Sequence, residues 1–408
     1  MREEFLRFGA PKIEQSEIDE VVKTLKSGWL GTGPKVAKFE QLFREYKGTK
    51  HALALNSCTS ALHVSLIAIG IKPGDEVIVP AMTFAATANA VIHAGARPVF
   101  VDCEKDSMNI SPEDIERKLT PRTKAIIPVH FAGRPCNMDA ILAIAKKHQL
   151  KIVEDCAHAI ETEYYGERAG TMGDLGCFSF YVTKNIVTAE GGMVTTNSDE
   201  YADFIKVLSL HGMTKDAWKR FDDEGYKHYA IQYAGFKYNM TDIQASLGIH
   251  QLGRIEKYWK YRETIWNQYN EAFADLPAFL PAPVEPGTKH AYHLYTLLLD
   301  IDKTHLTRDQ FLNQMTKRRL GVGVHYIALH LHPYYQQAFG YKEGDFPNAE
   351  WISARTVSLP LSAQMNAEDV KDVIGAVKGI LNPAPSEFQI TISIGMPQKA
   401  KKPSAHKP

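Results

Sequence analysis

Three short segments of this chain carry residue types suited to covalent chemistry on a carbonyl. Cys177-Phe178-Ser179-Phe180-Tyr181-Val182-Thr183-Lys184 is an apolar, aromatic and β-branched run that ends on a lysine. Burial beside such a strand disfavours the ammonium form, and the neutral amine is the form that makes a Schiff base. Val153-Glu154-Asp155 sets a carboxylate at the end of a second apolar run, where it needs a cationic partner. Asn56-Ser57-Cys58-Thr59-Ser60 separates a strand from a helix, and a helix start offers N–H groups to an anion such as phosphate. Each segment alone has an ordinary explanation: a snorkelling lysine, a satisfied aspartate, a helix cap. Together they match an aldehyde, a protonated ring nitrogen and a phosphate, the three handles of pyridoxal 5′-phosphate.

The surrounding pattern supplies a way to bring the segments together. Strand-like runs are read at 51–56, 76–79, 98–102, 125–130, 151–155 and 176–182, with another at 193–196 after the Gly191-Gly192 pair. Helical runs at 60–69, 85–94, 112–119 and 138–148 alternate with them. Continuous apolar strands separated by helices predict a mainly parallel sheet covered on both faces, with ligands beyond the carboxyl ends of its strands. Two amphipathic helices, 16–27 and 36–46, lead in, joined by the turn Gly28-Trp29-Leu30-Gly31-Thr32-Gly33. Thr241-Asp242-Ile243-Gln244 is a capping box that opens a long helical stretch to about Phe273. A proline-rich boundary at 276–289 precedes a strand at 293–301, a helix from Thr307, a strand at 321–326 and a helix at 366–381. The expected organisation is a large cofactor-binding domain over 1–250, a smaller α+β domain over 251–382, and a disordered tail over 383–408.

Composition narrows the alternatives. Of 408 residues, 44% are hydrophobic and 23% charged, as in a globular protein. The 47 basic and 47 acidic residues cancel, which argues against a nucleic-acid or anionic-membrane partner. MREEFLRFGAPKIEQ has no apolar h-region, and no run approaches a membrane span. The cysteines (Cys58, Cys103, Cys136, Cys156, Cys177) are odd in number and lack CxxC spacing, so reduced thiols and a cytoplasmic location are expected. His325, His330 and His332 crowd one turn without a carboxylate or cysteine, and no metal site is read there.

The segments NSCTSALH, PAMTFAATANAV, PVHFAG, VEDCAHA, GDLGCFSFYVTKN…AEGGMV, GFKYNMTDIQASLG and VHYIALHLHPYY resemble, in order, the DegT/DnrJ/EryC1/StrS sugar aminotransferases. The resemblance implies the aspartate-aminotransferase-like fold (fold type I) and a homodimer with shared active sites. It implies that Lys184 holds pyridoxal phosphate, that Asp155 faces the pyridine nitrogen, and that His158 sits by the ring hydroxyl with Phe84 on the ring face. Cys58, Thr59 and Ser179 would hold the phosphate, and the Gly235–Met240 turn would reach the neighbouring subunit's phosphate through Lys237 or Asn239. Trp29, Thr32, His325, Tyr326 and His330 would contact a sugar nucleotide. The Lys237-Tyr238-Asn239 version of the turn, with 29–35 and the loop around His211-Gly212 and Asp216-Ala217, resembles the branch that aminates C4 of UDP-linked 4-keto sugars. Its nearest named member makes UDP-4-amino-4-deoxy-L-arabinose. Glu161 departs from the family pattern, where glycine is common, and Ala328 replaces a frequent proline. The implied activity is transfer of an amino group from glutamate to a nucleotide-linked keto sugar, for polysaccharide biosynthesis. The alternatives are a sugar dehydratase of the same fold, in which histidine replaces the lysine, and a non-catalytic regulatory homologue.

Overall fold

The computed structural model describes residues 2–214 and 229–382. Asp216, Ala217 and the 383–408 tail lie outside the described residues. The chain's central feature is a seven-stranded sheet. Its strands are β1 (His51–Leu55), β2 (Glu76–Pro80), β3 (Arg97–Val101), β4 (Thr123–Ile126), β5 (Lys151–Asp155), β8 (Leu175–Ser179) and β9 (Gly192–Thr196). The two strands between β5 and β8, β6 (Glu163–Tyr164) and β7 (Glu167–Arg168), form a separate short hairpin.

The order β1-β9-β8-β5-β4-β2-β3 leaves β9 as the lone antiparallel strand of this sheet. The carboxyl ends of β1, β2, β5 and β8 therefore share one edge, and β9 begins at that same edge. Two expected strands are shorter than the sequence suggests. β4 stops at Ile126 because Pro128 has no N–H for the ladder, although its carbonyl still accepts the Asp155 N–H at 2.9 Å. β8 stops at Ser179, and the chain turns there, with Lys184 N–H bonded to the Tyr181 carbonyl.

The lead-in helices are part of the sheet's cover. In the helix Pro34–Lys47, Phe39 and Phe43 are fully buried. Their rings lie 5.1 Å from Phe180 and 5.0 Å from Phe178, so this helix packs directly on β8. Its start is held from afar: Asp242, itself buried, accepts the N–H groups of Gly33, Lys35 and Val36. The expected long helix beyond Thr241 is interrupted, running as Asp242–Leu252 and Ile255–Phe273 with Gly253-Arg254 between them.

Past the boundary, β12 (Tyr295–Leu299) pairs with the short β10 (Ala278–Phe279) and with β13 (Thr356–Leu359), while β11 (Thr288–Lys289) joins the β6–β7 hairpin. The helices Ile255–Phe273 and Ala367–Leu381 close a second core with these strands around Tyr269, Phe273, Tyr295 and Val373. The strand expected at 321–326 is a correction. Gly321 spends its N–H on Leu6, and Gly323 exchanges both bonds with Ser358, so the segment is pinned at single points and no ladder forms. The helix Asp199–Leu208 went unread, although Ser198-Asp199-Glu200 is a cap followed by early acids.

Candidate active site

At the shared carboxyl edge lies a cavity of about 510 Å³. Cys58, Thr59, Phe84, Asp155, His158, Ser179, Lys184, His325 and Tyr326 all line it. One side is the start of the helix Cys58–Ala68. Ser57 caps it by accepting the Ser60 N–H, and the Ala61 N–H goes to the Ser57 carbonyl. Among the described residues, the N–H groups of Cys58 and Thr59 are left for an anion. The Ser179 hydroxyl, at the end of β8, lines the same wall. Gly192 is required there: a Cβ on it would lie 2.4 Å from the Ser57 carbonyl, so only glycine lets β9 start against this cap.

Asp155 ends β5 on the floor of the cavity. Its carboxylate takes the Thr87 hydroxyl at 2.9 Å and the Ala157 N–H at 3.1 Å. Thr83 lies 2.8 Å from the Thr87 oxygen and donates to it, because Thr87's own proton goes to Asp155. Among the described residues no cation pairs with Asp155, and burial raises its pKa. A buried carboxylate with two neutral donors and no counter-ion is the partner a protonated ring nitrogen would satisfy.

Burial also pushes the Lys184 amine down to about 8, against the opposing pull of Cys58 and Asp155. Among the described residues this amine makes no hydrogen bond. His158 accepts the Ala132 N–H at Nδ1 and lies 3.1 Å from the Tyr326 hydroxyl at Nε2. With Nδ1 accepting, the neutral ring carries its proton on Nε2 and donates to Tyr326, which frees the phenol proton for the cavity. Burial, reinforced by Lys184, keeps His158 well below its usual pKa and takes His325 down to about 3, so both rings are neutral. Phe84, among the lining residues, is 61% exposed. The donor set thus fits pyridoxal phosphate: an anion cap, an unpaired carboxylate and a free amine in one cavity.

The other sequence-expected residues lie elsewhere. Trp29, Thr32 and Asn239 line a second cavity of about 450 Å³, with the Asn239 amide donating to the Thr32 hydroxyl at 2.7 Å. Lys237 is exposed and its carbonyl accepts from Asn56. His330 corrects the expectation of a cavity contact: it is fully buried, bound to Glu350 at 2.8 Å and packed on Phe346. Thr83 and Thr87 were missed, though their four-residue spacing where a strand meets a helix is legible. Asn185 and His293, bonded to each other at 3.0 Å beside the site, carry no local signal. His130, Glu154 and Cys156 bring ligand-type atoms within 4.8 Å. Glu154 is already used by His130 and by the N–H groups of Gly170, Met172 and Gly173, as in a closed structural network.

A mainly parallel sheet with helices on both faces, and lysine, aspartate and anion cap at its carboxyl edge, defines a pyridoxal-phosphate-dependent transferase of fold type I. The DegT/DnrJ/EryC1/StrS aminotransferase model matches residues 11–378, and the chain belongs to that family. It is 53% identical over 382 residues to the uncharacterised protein MJ1066 of Methanocaldococcus jannaschii, covering 94% of this chain and 99% of that one. It is 50% identical over 384 residues to the spore coat polysaccharide biosynthesis protein SpsC of Bacillus subtilis, with 94% and 99% covered. Among solved structures, Spr1654 of Streptococcus pneumoniae, a candidate sugar aminotransferase, has a PLP form that superposes with TM-score 0.85 at 33% identity, covering 92% of this chain and 98% of that one. PseC of Helicobacter pylori, an aminotransferase involved in pseudoaminic acid biosynthesis, gives TM-score 0.85 at 30% identity, with 93% and 99% covered.

Proposed function

We propose that this chain is a transaminase that moves an amino group from glutamate to the keto carbon, C4, of a UDP-linked sugar. Its product would feed polysaccharide biosynthesis, the setting printed for SpsC. One observation carries the reading: Lys184 with its lowered pKa, the unpaired Asp155 and the cap at Cys58-Thr59 line one cavity. The cofactor is pyridoxal phosphate, as in the neighbouring structure solved with it. When bound, it supplies an aldehyde that carries the amino group and a protonated ring that accepts the electron pair released at the α-carbon.

The chain's own residues do the rest. Cys58, Thr59 and Ser179 hold the phosphate, and Asp155 keeps the ring nitrogen protonated. Lys184 Nζ, its pKa lowered to about 8, takes the proton from the donor's α-carbon and, in the return half, delivers one to the former ketone carbon of the sugar. Neutral His158 orients Tyr326, whose phenol proton points into the cavity. Residues 1–250 would form the cofactor-binding unit and 251–382 the smaller unit beside it. Ile231, Tyr233, Trp29 and Leu30, each more than 40% exposed, support a homodimer in which Lys237 or Asn239 reaches the partner's phosphate.

The test is a panel of half-reactions. Glutamate should convert the yellow enzyme to its aminated form, and a UDP-4-keto sugar should restore the colour faster than dTDP or GDP counterparts. Restoration by none of them would remove the sugar-nucleotide assignment. Release of a dehydrated sugar without nitrogen incorporation would favour the dehydratase.

A further inference from the structure

Behind the cavity wall a line of buried and half-buried polar side chains runs from the smaller unit to Lys184 without touching the cavity itself. Arg262, on the helix Ile255–Phe273, is 3% exposed and bonds Glu161, which is 1% exposed. Arg262 also donates from Nε to the Tyr292 carbonyl at 3.1 Å. The second Glu161 oxygen accepts from Asn185 Nδ2 at 2.8 Å, and Asn185 Oδ1 lies 3.0 Å from His293 Nδ1. The His293 ring lies 4.6 Å from that of His158.

The donor order along this line has one solution. Arg262 can only donate and ionised Glu161 can only accept, so Asn185 must turn its NH2 toward Glu161. That leaves Oδ1 facing His293, which must carry its proton on Nδ1. Asn185 is also the residue directly after Lys184, and its NH2 holds the Ala291 carbonyl at 3.2 Å. The charge on Glu161 thus fixes the rotamer of the side chain next to the lysine and the tautomer of the ring against His158.

We propose that Glu161 is a positioning residue: held by Arg262, it orients the Asn185 amide, which braces Lys184 and sets the Nδ1–H tautomer of His293. The proposal rests on the transaminase reading only for its effect on Lys184, since the tautomer follows from the hydrogen bonds alone. The groups that face Lys184 are Asp155, Cys58, His158, His293 and His325. A changed His293 tautomer acts on the cavity through the ring of His158, which it stands against.

Reciprocal substitution in the full-length holoenzyme tests it. Glu161→Gln with its oxygen toward Arg262 presents an NH2 to Asn185, which must flip and offer its own NH2 to His293. The proton on His293 then moves to Nε2. Asn185→Asp instead sets two carboxylates face to face. The double variant E161Q/N185D restores the order, because the amide now at position 161 donates to the carboxylate now at 185, and that carboxylate accepts from His293. Ring nitrogens are read by 15N NMR of the histidine-labelled chain, with His293→Gln assigning the signal. The lysine-bound cofactor is read by the pH midpoint of its visible absorbance.

Glu161→Gln should switch the His293 tautomer while Asn185→Asp keeps it, and each single variant should move the midpoint by about one unit or more and slow the glutamate half-reaction about tenfold or more. The double variant should return all three toward wild type, which additive damage would not do. If the singles fold poorly, recovery of yield in the double is the same evidence. A Glu161→Gln variant with wild-type tautomer and midpoint, or a double no better than the worse single, overturns the proposal. A wild-type chain that never turns yellow with pyridoxal phosphate would instead sink the functional reading and leave the tautomer measurement standing.

Discussion

At the scale of single residues, the site works by withholding partners from two groups that want them. Lys184 is kept near pH 8 by burial, so about half of it is neutral there, against under about 1% for an ordinary lysine. The lowered pKa sets the sign: cofactor capture by the apo-protein should quicken as pH rises through about 8 and level off above. A stopped-flow pH series with its midpoint near that of an unperturbed lysine would contradict this. Asp155 leans on Thr87, which in turn accepts a hydrogen bond from the Thr83 hydroxyl. Thr87→Val should weaken cofactor binding by about 1–3 kcal/mol by removing one of two donors to a buried carboxylate, with Thr87→Ser close to wild type. Equal affinity for the valine and serine variants would remove Thr87 from the site. Lys184, Asp155 and the hydroxylated cap were legible because each ends an apolar strand in the sequence. Glu161 stood out only as a departure from the family pattern, and its partner Asn185 meets His293 across 108 residues of chain. No local pattern announces such a meeting.

At the scale of elements, the parallel strands were readable as apolar runs, whereas their ends and neighbours were not. The chain turns after Ser179 on a local bond, Lys184 N–H to the Tyr181 carbonyl, and β4 ends early because Pro128 has no N–H for the ladder. β13 escaped notice because four residues bounded by turns carry no periodicity. Thr241 was read correctly as the cap of its own helix, yet its neighbour Asp242 serves another: three N–H groups at the start of Pro34–Lys47. Asp242→Ala should therefore cost about 2–3 kcal/mol, since it strips a buried helix start of its acceptor. Asp242→Asn, which keeps one oxygen, should cost less. Thermal unfolding of the two variants decides, and an alanine variant as stable as wild type would show that the cap contributes little.

At the scale of the whole molecule, the cavity and the Trp29–Asn239 cavity share no lining residue, and the proposed homodimer has a second copy complete each site. A complementation experiment follows from that proposal. Lys184→Ala mixed and refolded with a Lys237→Ala/Asn239→Ala variant should recover about a quarter of wild-type activity, the share of sites that random pairing leaves intact. No recovery from two folded, separately inactive parents would mean that each chain supplies its own phosphate contacts. Among the described residues no helix is long and apolar enough to cross a membrane.

The reach of Asp242 across 209 residues to Gly33 also governs how the chain comes off the ribosome. Phe39 and Phe43 are synthesised long before Phe178 and Phe180 exist to shield them, and the acceptor for their helix arrives later still. A nascent polypeptide must carry that greasy face uncovered until Phe178 and Phe180 are made, so the early N-terminal segment is where a chaperone would find its grip.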